Sequence, residues 1–164
     1  MNMTIRSTAA GITVAALLGG GAAFAGAQMD GSPAKSRVTA HKNIVITNPW
    51  IRVVPPGSAN TAAYMRIRSV GVADTLLKAS VPSSFAKMTE LHLSMMDPAT
   101  GQMKMVQQKS IAIPRNATRQ LRMGSYHLMI MGLVNGVTAG QKVPVTLVFK
   151  KAGTVRVTAP AMEM

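Results

Sequence analysis

The chain has 164 residues, with 18 Lys and Arg against five Asp and Glu, a formal net charge of +13 and no cysteine. Without a thiol it builds no disulfide framework, zinc ribbon, iron–sulfur cluster, Cys nucleophile or blue-copper centre. Five acids and no Ser/His/Asp arrangement leave little for acid–base chemistry, so the composition points to a binding protein and not to an enzyme.

The first residues read as an export signal. Arg6 supplies a positive start, Ala9 to Phe24 form a mostly apolar run, and Ala23-Phe24-Ala25 and Ala25-Gly26-Ala27 fit the small-x-small cleavage pattern. Gly19-Gly20-Gly21 interrupts a stretch already short for a membrane span. The expected organisation is therefore a signal peptide over 1–27, a flexible N-terminal segment over 28–42 that ends beside a solvated His41, and one β domain over 43–164. The basic residues are scattered singly or in pairs, as at Arg66 and Arg68 or Lys150-Lys151, without interleaved aromatics. That pattern fits a solvated basic surface and not a nucleic-acid interface.

From Asn43 onward, short strand-like runs alternate with turn signals. The runs are Val45 to Thr47, Ile51 to Val54, Ala62 to Ile67, Leu76 to Val81, Leu91 to Met95, Met103 to Gln107, Ile111 to Ile113, Thr118 to Met123, Tyr126 to Leu133, Val143 to Phe149 and Thr154 to Val157. Pro55-Pro56-Gly57, Asp97 to Gly101, Gly124-Ser125 and Asn135-Gly136 are among the breaks. No segment keeps a 3.6-residue period over helical length, so the expected fold is an all-β antiparallel sandwich or barrel. Trp50, the one tryptophan, is expected as a core or rim anchor.

Two segments carry donor chemistry. In a strand over Tyr126 to Leu133, alternation puts His127, Met129 and Met131 on one face and Leu128 and Ile130 on the other. In Met88 to Met96, Glu90, His92 and Ser94 should share the face opposite Leu91 and Leu93, and a hairpin through Asp97 to Gly101 brings Met103 and Met105 alongside. Two imidazoles and several thioethers thus converge from three strands. These neutral, soft donors suit monovalent copper and hold calcium or magnesium poorly.

These residues resemble the signature of the PCuAC-type periplasmic copper chaperones: a His, about ten residues, a Met, twenty-one residues, then His-x-Met. Met105 is followed by twenty-one residues and His127-Leu128-Met129, whereas His92 is followed after ten residues by Met103 and after twelve by Met105. Met105 is preferred, because a longer hairpin turn is an easy insertion while a shift between paired strands changes register; Met103 is the second choice. The resemblance extends to Trp50-Ile51-Arg52, Pro55-Pro56-Gly57, Ala62-Ala63-Tyr64, Glu90-Leu91-His92, Gly124 to Leu133, and Val143 to Leu147 with Phe149. It implies a cupredoxin-like antiparallel β-sandwich or Greek-key barrel. It further implies Cu(I) bound at His92, Met105, His127 and Met129. The implied role is copper delivery in the periplasm for cytochrome c oxidase assembly, to an oxidase subunit or to another assembly copper chaperone.

The competing reading is a β-sandwich protein-binding module whose Met-rich face makes an apolar contact and holds no metal, since methionine also serves adaptable binding surfaces.

Overall fold

The structure, a computed structural model, describes residues 37–164. The export signal expected over 1–27, and the tail as far as residue 36, lie outside the described residues. The described residues form eleven strands and no helix: β1 (Val38–His41), β2 (Ile44–Arg52), β3 (Asn60–Ser69), β4 (Asp74–Ser80), β5 (Ala86–Met96), β6 (Met103–Gln108), β7 (Ile111–Ile113), β8 (Thr118–Leu121), β9 (Tyr126–Leu133), β10 (Lys142–Phe149) and β11 (Gly153–Met162).

Period-2 alternation decides which face is buried. In β10, Val143, Val145, Leu147 and Phe149 are buried while the residues between them are more exposed, and in β9 Leu128 and Ile130 are completely buried. Each such aliphatic side chain contributes roughly 1.5–3 kcal/mol by leaving water.

The strands follow one path, β6-β5-β9-β3-β2-β11-β10-β4-β7, with β1 added to β2 and β8 to β3. A single hydrophobic cluster takes Leu128 and Ile130 from β9 together with Leu76 from β4 and Leu147 from β10. Strands far apart along the path share that core, so the sheet wraps around it.

Three features differ from the sequence reading. The runs at Val45 and Ile51 are one strand, because the register against β3 shifts between Thr47 and Trp50 and Asn48 takes φ 51°. The Asn48-Pro49 turn signal marks a bulge within a strand and not its end. The segment expected to stay a flexible tail up to Lys42 already pairs from Val38, since β1 lies antiparallel on β2 with Val38 opposite Thr47 and His41 opposite Ile44. Lys42 turns this hairpin with φ 50°. Finally, β11 runs parallel to β2 through Ala161 and Met162, opposite Ile51 and Arg52, and Ser69 makes a parallel bridge to Arg115, so the fold is not wholly antiparallel. The wrapping of the sheet around its core brings these distant segments together, and no local pattern encodes that.

A carboxylate anchors the far end. Asp74, at the start of β4 and 4% exposed, accepts backbone N–H bonds from Thr75 at 2.7 Å, Lys151 at 2.9 Å and Ala152 at 2.9 Å, and the Asn43 side-chain amide at 3.3 Å. Burial pushes its carboxyl up, but these four donors outweigh it and hold the group below the ordinary aspartate range.

Candidate functional site

The site lies on the face of β5 and β9 turned away from the core. β9 is the middle strand here, paired with β5 on one side and with β3 on the other. Directly opposed residues of an antiparallel pair share a face, and three rungs fall together. His92 stands opposite His127, Glu90 opposite Met129, and Ser94 opposite Met105 of β6. The two imidazole centroids are 5.8 Å apart.

Each ring is oriented by one hydrogen bond that leaves its other nitrogen free. His127 is 4% exposed, and its Nδ1–H donates to the Ser125 carbonyl at 3.0 Å. A carbonyl only accepts, so the neutral ring keeps its Nε2 lone pair for another partner. His92 is arranged in the opposite sense. Its Nε2–H donates to Glu90 Oε2 at 2.9 Å, while its Nδ1 is buried without a hydrogen-bond partner. An orphaned buried acceptor of this kind costs about 1–3 kcal/mol. A carboxylate that fixes the far nitrogen of a histidine is the usual support of a metal-binding imidazole.

A cavity of about 270 Å³ opens over this face, lined among others by Arg52, Tyr64, Ser94, Met105, His127 and Met129. His92 stands beside His127, just outside that lining. Tyr64 forms the floor: its ring lies 6.5 Å from the His127 ring and 4.6 Å from that of Trp50, which is therefore a rim anchor over the outer face. Burial raises the Tyr64 hydroxyl above its ordinary value and the nearby Arg52 partly offsets this, so Tyr64 stays a neutral phenol at physiological pH.

Of the residues expected from sequence, the structure brings His92, His127, Met105 and Met129 onto one face. Met103 sits opposite Met96, one rung further along the hairpin, and does not line the cavity. His41 lies in β1, away from the lining residues. Among the described residues no three His, Cys, Asp or Glu side chains gather closely enough to hold a metal, and this face adds the thioethers of Met105 and Met129 to its two rings. The free Nδ1 of His92, the free Nε2 of His127 and two thioethers form a neutral soft donor set that fits a monovalent copper ion. The sequence pattern alone assigns no supporting role to Glu90 or Ser125. Glu90 was legible as a strand neighbour two residues from His92; the Ser125 carbonyl acts through the backbone, which side-chain patterns do not reveal.

Comparison with known proteins agrees with this architecture. The family model described as "Putative lipoprotein LpqE-like" matches residues 44–161. A curated relative from Leifsonia xyli subsp. xyli (strain CTCB07), named "Putative lipoprotein Lxx21020", is 32% identical over 121 residues, which cover 73% of this chain and 70% of the relative. Among solved structures, the "Copper-bound PCuAC domain from PmoF2" superposes with a TM-score of 0.64 at 22% identity, covering 78% of this chain and 99% of that domain. The Cu(I) form of DR1885 from Deinococcus radiodurans gives a TM-score of 0.55 at 26% identity, covering 82% of this chain and 84% of that one. The structural likeness supports the cupredoxin-like, PCuAC-type β fold, and the family match over residues 44–161 shows that the chain belongs to the LpqE-like family.

Proposed function

We propose that this protein is an exported copper chaperone that binds one Cu(I) ion as cargo through His92, Met105, His127 and Met129. The observation that carries this reading is the His92–His127 rung, whose two rings leave complementary lone pairs free, one of them buried and unpartnered. Met129 and Met105 occupy the neighbouring rungs on either side. The PCuAC-type fold supports the assignment, and among the relatives a DR1885 structure holds Cu(I). The periplasm is the proposed compartment, and cytochrome oxidase assembly the proposed destination, through an oxidase subunit or a further copper chaperone. With no cysteine the site lacks a thiolate, so a partner with stronger ligands can draw the ion away. The same lack leaves these 164 residues no thiol to carry a lipid.

Titration of the reduced protein against a Cu(I) chelator should give one tight site, preferred over zinc in direct competition, because zinc favours thiolate and imidazole over thioether. Tighter zinc than Cu(I) binding overturns the assignment. A protein that takes up neither metal leaves the Met-rich contact face as the better account of the exposed methionines.

Met105 and Met103 separate by conservative replacement. Met105→Leu keeps volume and hydrophobicity, so its loss of Cu(I) affinity, expected at about tenfold, reports ligation. Met103→Leu should change the affinity of this site by less than about twofold. The reverse order would make Met103 the ligand and the ten-residue spacing the right one.

A further inference from the structure

The β5–β6 hairpin continues the donor face beyond the proposed copper site. After the Ser94–Met105 rung comes Met96 opposite Met103, the last pair before the turn. Asp97 N–H donates to the Gln102 carbonyl at 2.8 Å to close the hairpin. By alternation the Met96–Met103 pair is then of the non-hydrogen-bonded kind, whose side chains approach most closely. Opposed Cβ atoms lie about 5 Å apart and diagonal ones about 7–8 Å, within reach of long side chains. Met105 is diagonal to Met96.

All three side chains are open to solvent, Met96 at 63%, Met103 at 57% and Met105 at 60%. Among the described residues β6 ends the strand order and no strand pairs beyond it. Sheet edges are commonly guarded by charge. On this face Met103 and Met105 stand where a guard would be, while Lys104 points to the other side, opposite Met95.

We propose that the hairpin tip is a second, outer site for a soft monovalent ion, built from the thioethers of Met96, Met103 and Met105. It takes Cu(I) or Ag(I) from a donor and passes it inward. Met105 stays bound while the bonds to Met96 and Met103 give way to bonds from His92, His127 and Met129, and the ion keeps its oxidation state throughout. Thioethers bind no proton in the physiological range, so loading here is independent of pH. The inward step rests on the copper reading above; the outer site stands on its own three residues.

The test uses protein carrying 13C-labelled methionine methyls and Ag(I), a redox-inert soft probe. In His92→Ala/His127→Ala, which disables the inner site, Ag(I) should shift the methyls of Met96, Met103 and Met105 together, with one common affinity. Adding Met96→Leu and Met103→Leu should weaken that binding by about tenfold or more. Met95, on the opposite face of the same hairpin, and Met164, 67% exposed, are the internal references. If Met96 and Met103 move no more than these two, the outer site is overturned and the hairpin tip is left as an apolar contact surface. Failure of the inner reading gives a different result: wild type and the double histidine variant then bind the first equivalent equally tightly.

Discussion

Replacing His92 and His127 together by alanine should lower Cu(I) affinity by at least about a hundredfold and remove most of its dependence on pH. The two rings are direct register partners, so the double change deletes the centre of the donor face and leaves Met105 and Met129 on its flanks. Protons compete with a metal for imidazole nitrogen and not for thioether sulfur. Wild-type affinity should therefore fall as the solution is acidified, whereas the residual binding of the variant stays nearly flat. Chelator competition at several pH values measures both. Parallel pH profiles for the two proteins would remove the histidines from the site. Because the rings meet only in the folded sheet, Cu(I) should also raise the melting temperature of wild type by more than that of the variant.

Asp74→Asn should be the most damaging conservative change in the described fold. Oδ1 accepts from the Thr75 and Lys151 N–H groups, and Oδ2 from the Ala152 N–H and the Asn43 amide. Both oxygens are thus fully engaged by donors, and an asparagine must turn its NH2 toward one of these pairs in either orientation. The expected loss is about 3 kcal/mol, from one lost charge-assisted acceptor and its stranded donors, or about 10 °C in melting temperature. The folded-state pKa of Asp74 is lowered, so its contribution is present above the unfolded value near 3.9 and is lost as pH falls through the folded value. The gap between wild type and variant should accordingly be full at neutral pH and shrink below about pH 4. Melting followed by circular dichroism at both pH values checks this. A neutral-pH difference under about 2 °C would mean that the four donors find other partners.

The alternation of His127 and Met129 against Leu128 and Ile130 was legible because a strand with one core face must repeat every two residues. Glu90, His92 and Ser94 followed from the same rule. Met105 was preferred to Met103 on a hairpin-length argument, and the register that puts Met105 opposite Ser94 is consistent with that preference. What local pattern did not reveal was the pairing of His92 with His127. Thirty-five positions separate them, and one residue of slippage in β5 against β9 would send the two rings to opposite faces. The parallel contact of β11 with β2 was hidden for the same reason. The Asn48 bulge was misread differently, because Asn-Pro carries the same chemistry whether it ends a strand or only bends it.

The donors sit on strands of unequal anchorage. His127 and Met129 belong to β9, held by hydrogen-bonded neighbours on both flanks, whereas Met105 belongs to β6, which among the described strands pairs with β5 alone. Edge strands open locally at far lower free energy than central ones. An ion spanning Met105 and Met129 would fasten the border of the sheet to its interior, and part of its binding energy would go into quieting that border. On the proposed reading the affinity of the site would thereby be set below what the same four donors would reach on a rigid frame, and fraying of one strand would supply the route by which the cargo leaves.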